Sequence, residues 1–407
     1  MKKILFLGLA LMLVAVLVLG ACSQPAPAPA PAPSPSPAPS PAPAPSPSPA
    51  PSPSPAPAPS PSPSPAPAPA PAPAPIKLVS TINTPPPKTG GSPNATVNIW
   101  FADEVAKRTS GRVTIENNWG SPFGPPPEYL AMISKPGTAD LGQLSLAYHP
   151  WDLPVTYASG LPFIFRGFVA QPTALTQLYR DWSFMREEFD NNNVVPLFFL
   201  TGAPLVLGSK GKPILTVADF KGRRMWSSGL NQDVVRALGG DPVSFSSGEL
   251  YDAMAKGTVD SYVYAAEVVL SRKLAEVSDQ LVNLDFWGAQ AAHAWLINKD
   301  VWNKISPEDQ RAISGIAAGA IGWWSNELAS GGQAATFTSL KEAGMNFSSV
   351  SSDERTRMLQ IAAPVTGNWI ADAEKRGVPG KEIVNRLKAL ADKSPAMNPN
   401  IYPFPAN

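Results

Sequence analysis

Apolar and polar positions change rhythm several times along this chain. Ile4 to Leu19 is an almost unbroken apolar run behind Lys2 and Lys3. It is too short and too close to the N-terminus for an ordinary spanning helix, and reads as the apolar centre of an export signal. From Ile76 onward, strand-like runs alternate with helical periods. Ile76 to Ser80 predicts a strand. Val97, Trp100, Phe101 and Val105 then fall at helical spacing, with Ser92 as N-cap and Pro93 in the first turn. Val113 and Ile115 share one face of a strand over Arg112–Glu116. A helix over Pro127–Ser134 and a strand after Asp140 follow. Leu175, Leu178, Trp182, Met185 and Phe189 predict one amphipathic helix after Pro172. Val194–Leu200 reads as a buried strand. Strands near Arg224 and over Val259–Val263 bracket helices at Gln232–Leu238 and Glu249–Lys256.

The last third is helical. Ser306-Pro307-Glu308-Asp309 is a helix start. Ile313, Ile316, Ile321, Trp324 and Leu328 continue it as one long apolar stripe. Ser351-Ser352-Asp353-Glu354 is a capping box for a helix bearing Met358, Ile361, Val365 and Trp369, kinked at Pro364 and closed by Gly377. Ile383, Leu387 and Leu390 mark a terminal helix. Alternating elements followed by helices predict α/β lobes with open sheets.

Composition divides the chain. From Pro25 to Pro75 every odd position is proline, with Ala or Ser between. Such a segment lacks apolar bulk and half its amide donors, so it forms no core. As polyproline II at about 3.1 Å per residue it makes a spacer of up to roughly 160 Å. It is either a stalk or passive low-complexity sequence. Cys22 is the sole cysteine, so no internal disulfide forms. Leu19-Gly20-Ala21-Cys22 resembles a bacterial lipobox, in which the signal is cut before a lipidated cysteine. The other reading is a secretory signal with a chance cysteine. Net charge is +1 with no basic block, which argues against a nucleic-acid partner. The roughly 330 residues from Ile76 suffice for two core-bearing lobes.

Catalytic constellations are sparse. The histidines are His149 and His293. No G-x-S-x-G elbow is present, the two histidines lack zinc-site spacing, and Gly208–Pro213 does not make a P-loop. Paired carboxylates converging from distant positions leave a lipid-anchored surface hydrolase as the competing reading. No cofactor or metal is expected.

Three stretches carry a resemblance. They are Phe101–Val113; Gly137–Asp140 with Leu161-Pro162-Phe163-Ile164-Phe165-Arg166; and Ala218–Trp226 followed by Ala237–Val243 and Glu249–Asp260. In this order they are similar to the extracytoplasmic solute receptors of TRAP transporters, the C4-dicarboxylate-binding (DctP-type) family. The resemblance implies a two-lobed, periplasmic-binding-protein-like α/β fold with a ligand cleft between lobes and long C-terminal helices. It further implies capture of a small organic acid or a related compound, aromatic ones included, with TRAP permease subunits as partners. A permease-independent sensor is the alternative within binding proteins. The expected division is a signal at 1–21, lipidated cysteine and stalk at 22–75, lobe I at 76–203 and about 292–331, and lobe II at about 204–291 and 332–407.

One position departs from the family. Where the family's motif places a carboxylate-binding arginine, this chain has Trp226. Arg224 shares its strand face and either leans toward the cleft or is a solvated strand-end charge. Trp226 either stacks on the ligand or sits in the core after a register shift. In the first case Trp226→Ala would lower ligand affinity and leave the free protein's melting temperature unchanged. Tyr148, Tyr262, Tyr264 and Trp287 are further aromatic candidates. Ser145, Ser227, Ser228 and the amides opening the Asn231 helix are polar ones. Glu267 either meets the ligand or faces solvent.

Overall fold

The computed structural model describes residues 74–87, 93–165, 169–202, 205–288, 292–327 and 333–393. The export signal, Cys22, the stalk up to residue 73, Ser92, Arg166 and Leu328 lie outside them. Eleven strands are described: β1 Ile76–Thr81, β2 Val113–Asn118, β3 Leu141–Ser145, β4 Val194–Leu200, β5 Leu205–Ser209, β6 Arg224–Trp226, β7 Asp241–Val243, β8 Ser261–Ala265, β9 Gln280–Asn283, β10 His293–Asn298 and β11 Asn346–Ser349. They form a five-stranded sheet, β2-β1-β3-β10-β4, and a six-stranded sheet, β11-β9-β5-β8-β6-β7. In the first, β1 runs parallel to β2 and β3, while β10 is antiparallel to β3 and β4. In the second, β6 runs parallel to β7 and β8, and β5 is antiparallel to β8 and β9. Each sheet therefore takes one strand from a later part of the chain, so the backbone crosses between lobes more than once.

Strand alternation decides which cluster each side chain joins. In β10, Ala294 and Leu296 enter one core cluster while Trp295 and Ile297 enter the cluster on the opposite face. In the second sheet, Leu205, Leu207, Met225 and Val263 pack on one face, and Val206, Trp226 and Tyr262 on the other. Gly208 makes room for the Tyr262 ring, since a Cβ there would stand 2.0 Å from its Cζ.

Three helical readings change. The single amphipathic helix is two, Ala170–Asp181 and Ser183–Asn191, divided at Trp182, whose φ of −128° and ψ of 116° are extended. The break sets the Trp182 ring beneath the Arg386 guanidinium of the terminal helix, 4.5 Å from the ring centre. The stripe after Ser306 is also two helices, Pro307–Ala318 and Ala320–Glu327, with Gly319 between. At Pro364 the helix ends at Ala362 and restarts, because proline has no N–H to continue the ladder.

Lobe membership of the C-terminus departs from the expected division. The terminal helix Gly380–Ala391, expected with lobe II, packs Ile383, Val384 and Leu387 into the cluster of Leu175, Leu178 and Trp182 in lobe I. The reason is the length of the helix Pro364–Lys375, which begins with Val365 in a lobe II cluster and reaches the lobe I cluster with Trp369 and Ala373. No helix among the described residues is long and apolar enough to cross a membrane.

One tie anchors the helical third to the first sheet. Ser306 caps its helix by accepting from the Asp309 N–H at 3.1 Å. The Arg112 guanidinium donates to Asp309 Oδ1 at 2.7 Å through Nη2 and at 3.1 Å through Nε. That bonding holds the Asp309 carboxyl below its ordinary value, against the opposing effect of burial. Its stabilisation is complete above the unfolded value near pH 4 and is lost as pH falls through the lower folded value. Asp309→Ala is expected to cost about 2 kcal/mol at neutral pH. Denaturant titration of both proteins from pH 7 to pH 3 should show the difference shrinking at the acid end. An undiminished difference would remove the ion pair from the explanation.

Candidate ligand-binding site

The parallel strands β1 and β3 of the first sheet and β6 and β8 of the second bring their carboxyl ends to one cleft, the ordinary place for a ligand in open α/β sheets. Past β1 stand Asn83 and Thr84; at and past β3 stand Ser145 and Tyr148; past β6 stands Ser228. Around the end of β8, Tyr264, Glu267 and Arg272 complete the wall, and His293 opens β10. The space between these groups, open mouth included, is about 610 Å³. The lobes approach closely beside it: a Cβ on Gly229, whose φ is +56°, would lie 3.1 Å from the Ala147 Cβ.

Each lining group has a definite chemical character. Arg272 follows the short helix Ala266–Ser271 and is the one permanent cation among the described lining residues. It bonds the Tyr264 hydroxyl, which also meets the Ser247 side chain. Burial raises the Tyr264 phenol above its ordinary value despite Arg272, and pushes Tyr148 up to about 12. Both phenols are therefore protonated at neutral pH and can donate. Burial pushes His293 the other way, down to about 4, so its ring is neutral there. Gln143 Nε2, the Thr84 hydroxyl and His293 Nδ1 are buried with no hydrogen-bond partner among the described residues. Buried polar groups without partners are uncommon in folded proteins and point to something that completes them.

Ser145, Tyr148, Ser228 and Tyr264 are thus brought together as lining residues. Trp226, Trp287 and Arg224 are not. Trp226 is 1% exposed and packs with Leu250, Met254 and Tyr262 on the inner face of the second sheet. Its indole N–H donates to the Phe245 carbonyl at 3.1 Å. The Trp226 ring lies 4.6 Å from the Tyr264 ring, so it supports a lining residue from behind. Trp287 is buried against Phe220 and Phe286 in the opposite core cluster. Arg224 is exposed at the start of β6, where its backbone N–H donates to Asp260 at 3.2 Å. Tyr262 is buried with its hydroxyl 2.9 Å from that of Ser278, and Ser227 is fully buried and does not line the cleft. Asn231 lines a smaller recess beside Ser145 and Ser228. Glu267 is a wall residue, buried to 5% exposure.

Sequence reasoning missed Arg272 and Gln143. Gln143 carried a legible signal, a long polar side chain in the buried strand Leu141-Gly142-Gln143-Leu144. Arg272 carried none, because its direction depends on how the helix Ala266–Ser271 turns back over the end of β8.

Residues 92–372 match the bacterial extracellular solute-binding proteins, family 7, DctP. The chain belongs to that family. Its members are substrate-binding receptors, not enzymes, which removes the hydrolase reading. Among its relatives is the outer membrane transporter protein TsaT of Comamonas testosteroni, 24% identical over 296 residues, covering 72% of this chain and 85% of TsaT. The fold is that of solved TRAP solute-binding proteins. One, from an unidentified marine microbe, is specific for aromatic acid ligands and was crystallised with 3-hydroxybenzoate; its TM-score is 0.70 at 22% identity, covering 79% of this chain and 99% of that one. Another, from Rhodoferax ferrireducens, holds copurified benzoate; its TM-score is 0.70 at 22% identity, covering 78% and 98%.

Removing Trp226 takes away core volume and the support beneath Tyr264. Trp226→Ala should destabilise the ligand-free family 7 protein by about 3 kcal/mol or more. Thermal melting of the free protein measures this, and an unchanged midpoint would return Trp226 to the cleft surface.

Proposed function

We propose that this protein captures a small aromatic carboxylic acid between its lobes and delivers it to a TRAP-type membrane permease. The observation that carries the reading is Arg272, the one permanent cation among the described lining residues, in a wall that also holds protonated phenols, hydroxyls, amides, a neutral imidazole and the Glu267 carboxyl. A guanidinium offers a carboxylate two parallel N–H donors, and partial burial strengthens that contact. In this reading Arg272 replaces the family arginine whose place Trp226 takes. Tyr148 from lobe I and Tyr264 from lobe II supply aromatic surface at low conformational cost. Aromatic acids bound by structural relatives support the same class.

Ligand contacts to both lobes favour the closed arrangement by their difference between open and closed states. A permease can then distinguish loaded from empty receptor. The lipid anchor at Cys22 and a proline stalk would hold the folded part outside the membrane yet near that permease. More than one acyl chain is needed for stable anchoring.

Glu267 in the same wall favours one second reading, a zwitterionic ligand whose ammonium meets that carboxylate. Calorimetry with benzoate, 3-hydroxybenzoate, mandelate and phenylalanine separates the two. The acid reading expects binding of at least one of the first three, and a loss of roughly 30-fold in Arg272→Gln, about 2 kcal/mol, with an unchanged melting temperature of the free protein. Binding of phenylalanine alone, abolished in Glu267→Gln, would replace it with the zwitterion. Acid affinity undiminished in Arg272→Gln would remove Arg272 as the anchor.

A further inference from the structure

We infer that the lobe I wall of the cleft is a hydroxyl-reading subsite, with the Gln143 amide donating to a neutral hydroxyl on the ligand. The inference rests on the acid-receptor reading and narrows its ligand to a hydroxylated acid.

A relay of side chains sets the direction of the Gln143 amide. An indole N–H can only donate. Trp295 Nε1 lies 2.8 Å from Asn98 Oδ1, which fixes the oxygen of that amide toward Trp295. The nitrogen end of Asn98 must then face the other way, and Nδ2 donates to Gln143 Oε1 at 3.2 Å. The backbone carbonyl of Asn98 accepts from Asn117 Nδ2 at 3.1 Å, and Asn117 Oδ1 accepts from the Ser80 hydroxyl at 3.1 Å. With its oxygen engaged, Gln143 keeps its Nε2 donor for the cavity it lines. The side chain is 2% exposed, and Nε2 meets no acceptor among the described residues. Water reaches such a donor poorly, so a ligand oxygen there gains most of a hydrogen bond.

Strand register supplies the second half. Ser145 stands opposite His293 and Gln143 opposite Trp295. Alternation then places Gln143, Ser145, His293 and Trp295 on one face of the sheet. His293 Nδ1 is likewise buried without a partner among the described residues. A neutral imidazole keeps one nitrogen as an acceptor. A hydroxyl suits both neighbours, because it accepts from the Gln143 amide and donates to the imidazole. An unsubstituted ring edge satisfies neither. Sites built to bond a hydroxyl reject the analogue lacking it more strongly than apolar pockets reject an extra methylene.

The experiment compares benzoate with 2-, 3- and 4-hydroxybenzoate by titration calorimetry on the wild-type protein, Gln143→Met and Trp295→Phe. Gln143→Met keeps the length of the side chain and removes the donor. Trp295→Phe keeps the ring stacked on Phe198, 4.6 Å away, and removes the N–H that orients the relay. In the wild type, at least one hydroxy isomer is expected to bind about tenfold or more tightly than benzoate. Gln143→Met should bring that ratio to about one while leaving benzoate affinity in place, and Trp295→Phe should reduce it part of the way. No preferred isomer in the wild type overturns the inference and leaves the acid reading intact. So does a preference that survives in Gln143→Met, or one that is undiminished in Trp295→Phe should Gln143→Met fail to fold. Failure of all four acids to bind the wild type overturns the acid reading, and the subsite with it.

Discussion

A strand covered on both faces leaves little room for polar side chains away from its ends, and β1, β3, β6 and β8, from both sheets, end at the same cleft. The rest of the site follows from that constraint. Along β3, β6, β8 and β10 successive side chains divide between opposite core clusters. Chemistry is therefore displaced to Ser145, Ser228, Arg272 and their neighbours at or past the carboxyl ends. Helices packed over both faces leave this edge as the place where the chain can be polar and partly shielded from water.

Shielding makes the wall selective. The same burial that keeps His293 neutral and the two phenols protonated leaves Arg272 as the one permanent positive charge among the described lining residues. Because the wall is shared, with Gln143, Tyr148 and His293 from lobe I and Tyr264 and Arg272 from lobe II, a ligand that satisfies it ties the lobes together. Occupancy and closure become one event, which is what a receptor needs if a permease is to recognise its loaded form.

Much of this was legible in the sequence, with identifiable gaps. Periodicity located six of the eleven described strands and most helices, missing β5, β7, β9, β10 and β11, and the ordered motifs between Phe101 and Asp260 carried the family and with it the two-lobed fold. The placement of Ser145, Tyr148, Ser228 and Tyr264 in the wall follows from knowing where strands end. Trp226 went astray because alternation says that Met225 and Trp226 face opposite ways, but not which face the helix Leu250–Ala255 covers. The terminal helix shows the same limit, since its period identifies an apolar stripe without naming the lobe that receives it. Arg272 was hidden for a different reason: a charge at the end of a short helix takes its direction from the tertiary path alone. Trp182 kept its place on the apolar stripe while its backbone left the helix, which spacing cannot register.

The central claim is that Arg272 has taken over the role of carboxylate anchor in a cleft whose family arginine is absent. A crystal structure of the protein soaked with or grown in 3-hydroxybenzoate tests it most directly. The account predicts the carboxylate in two-pronged contact with the Arg272 guanidinium, with the ring between Tyr148 and Tyr264. A carboxylate held by other groups, with Arg272 turned away from it, would contradict the account.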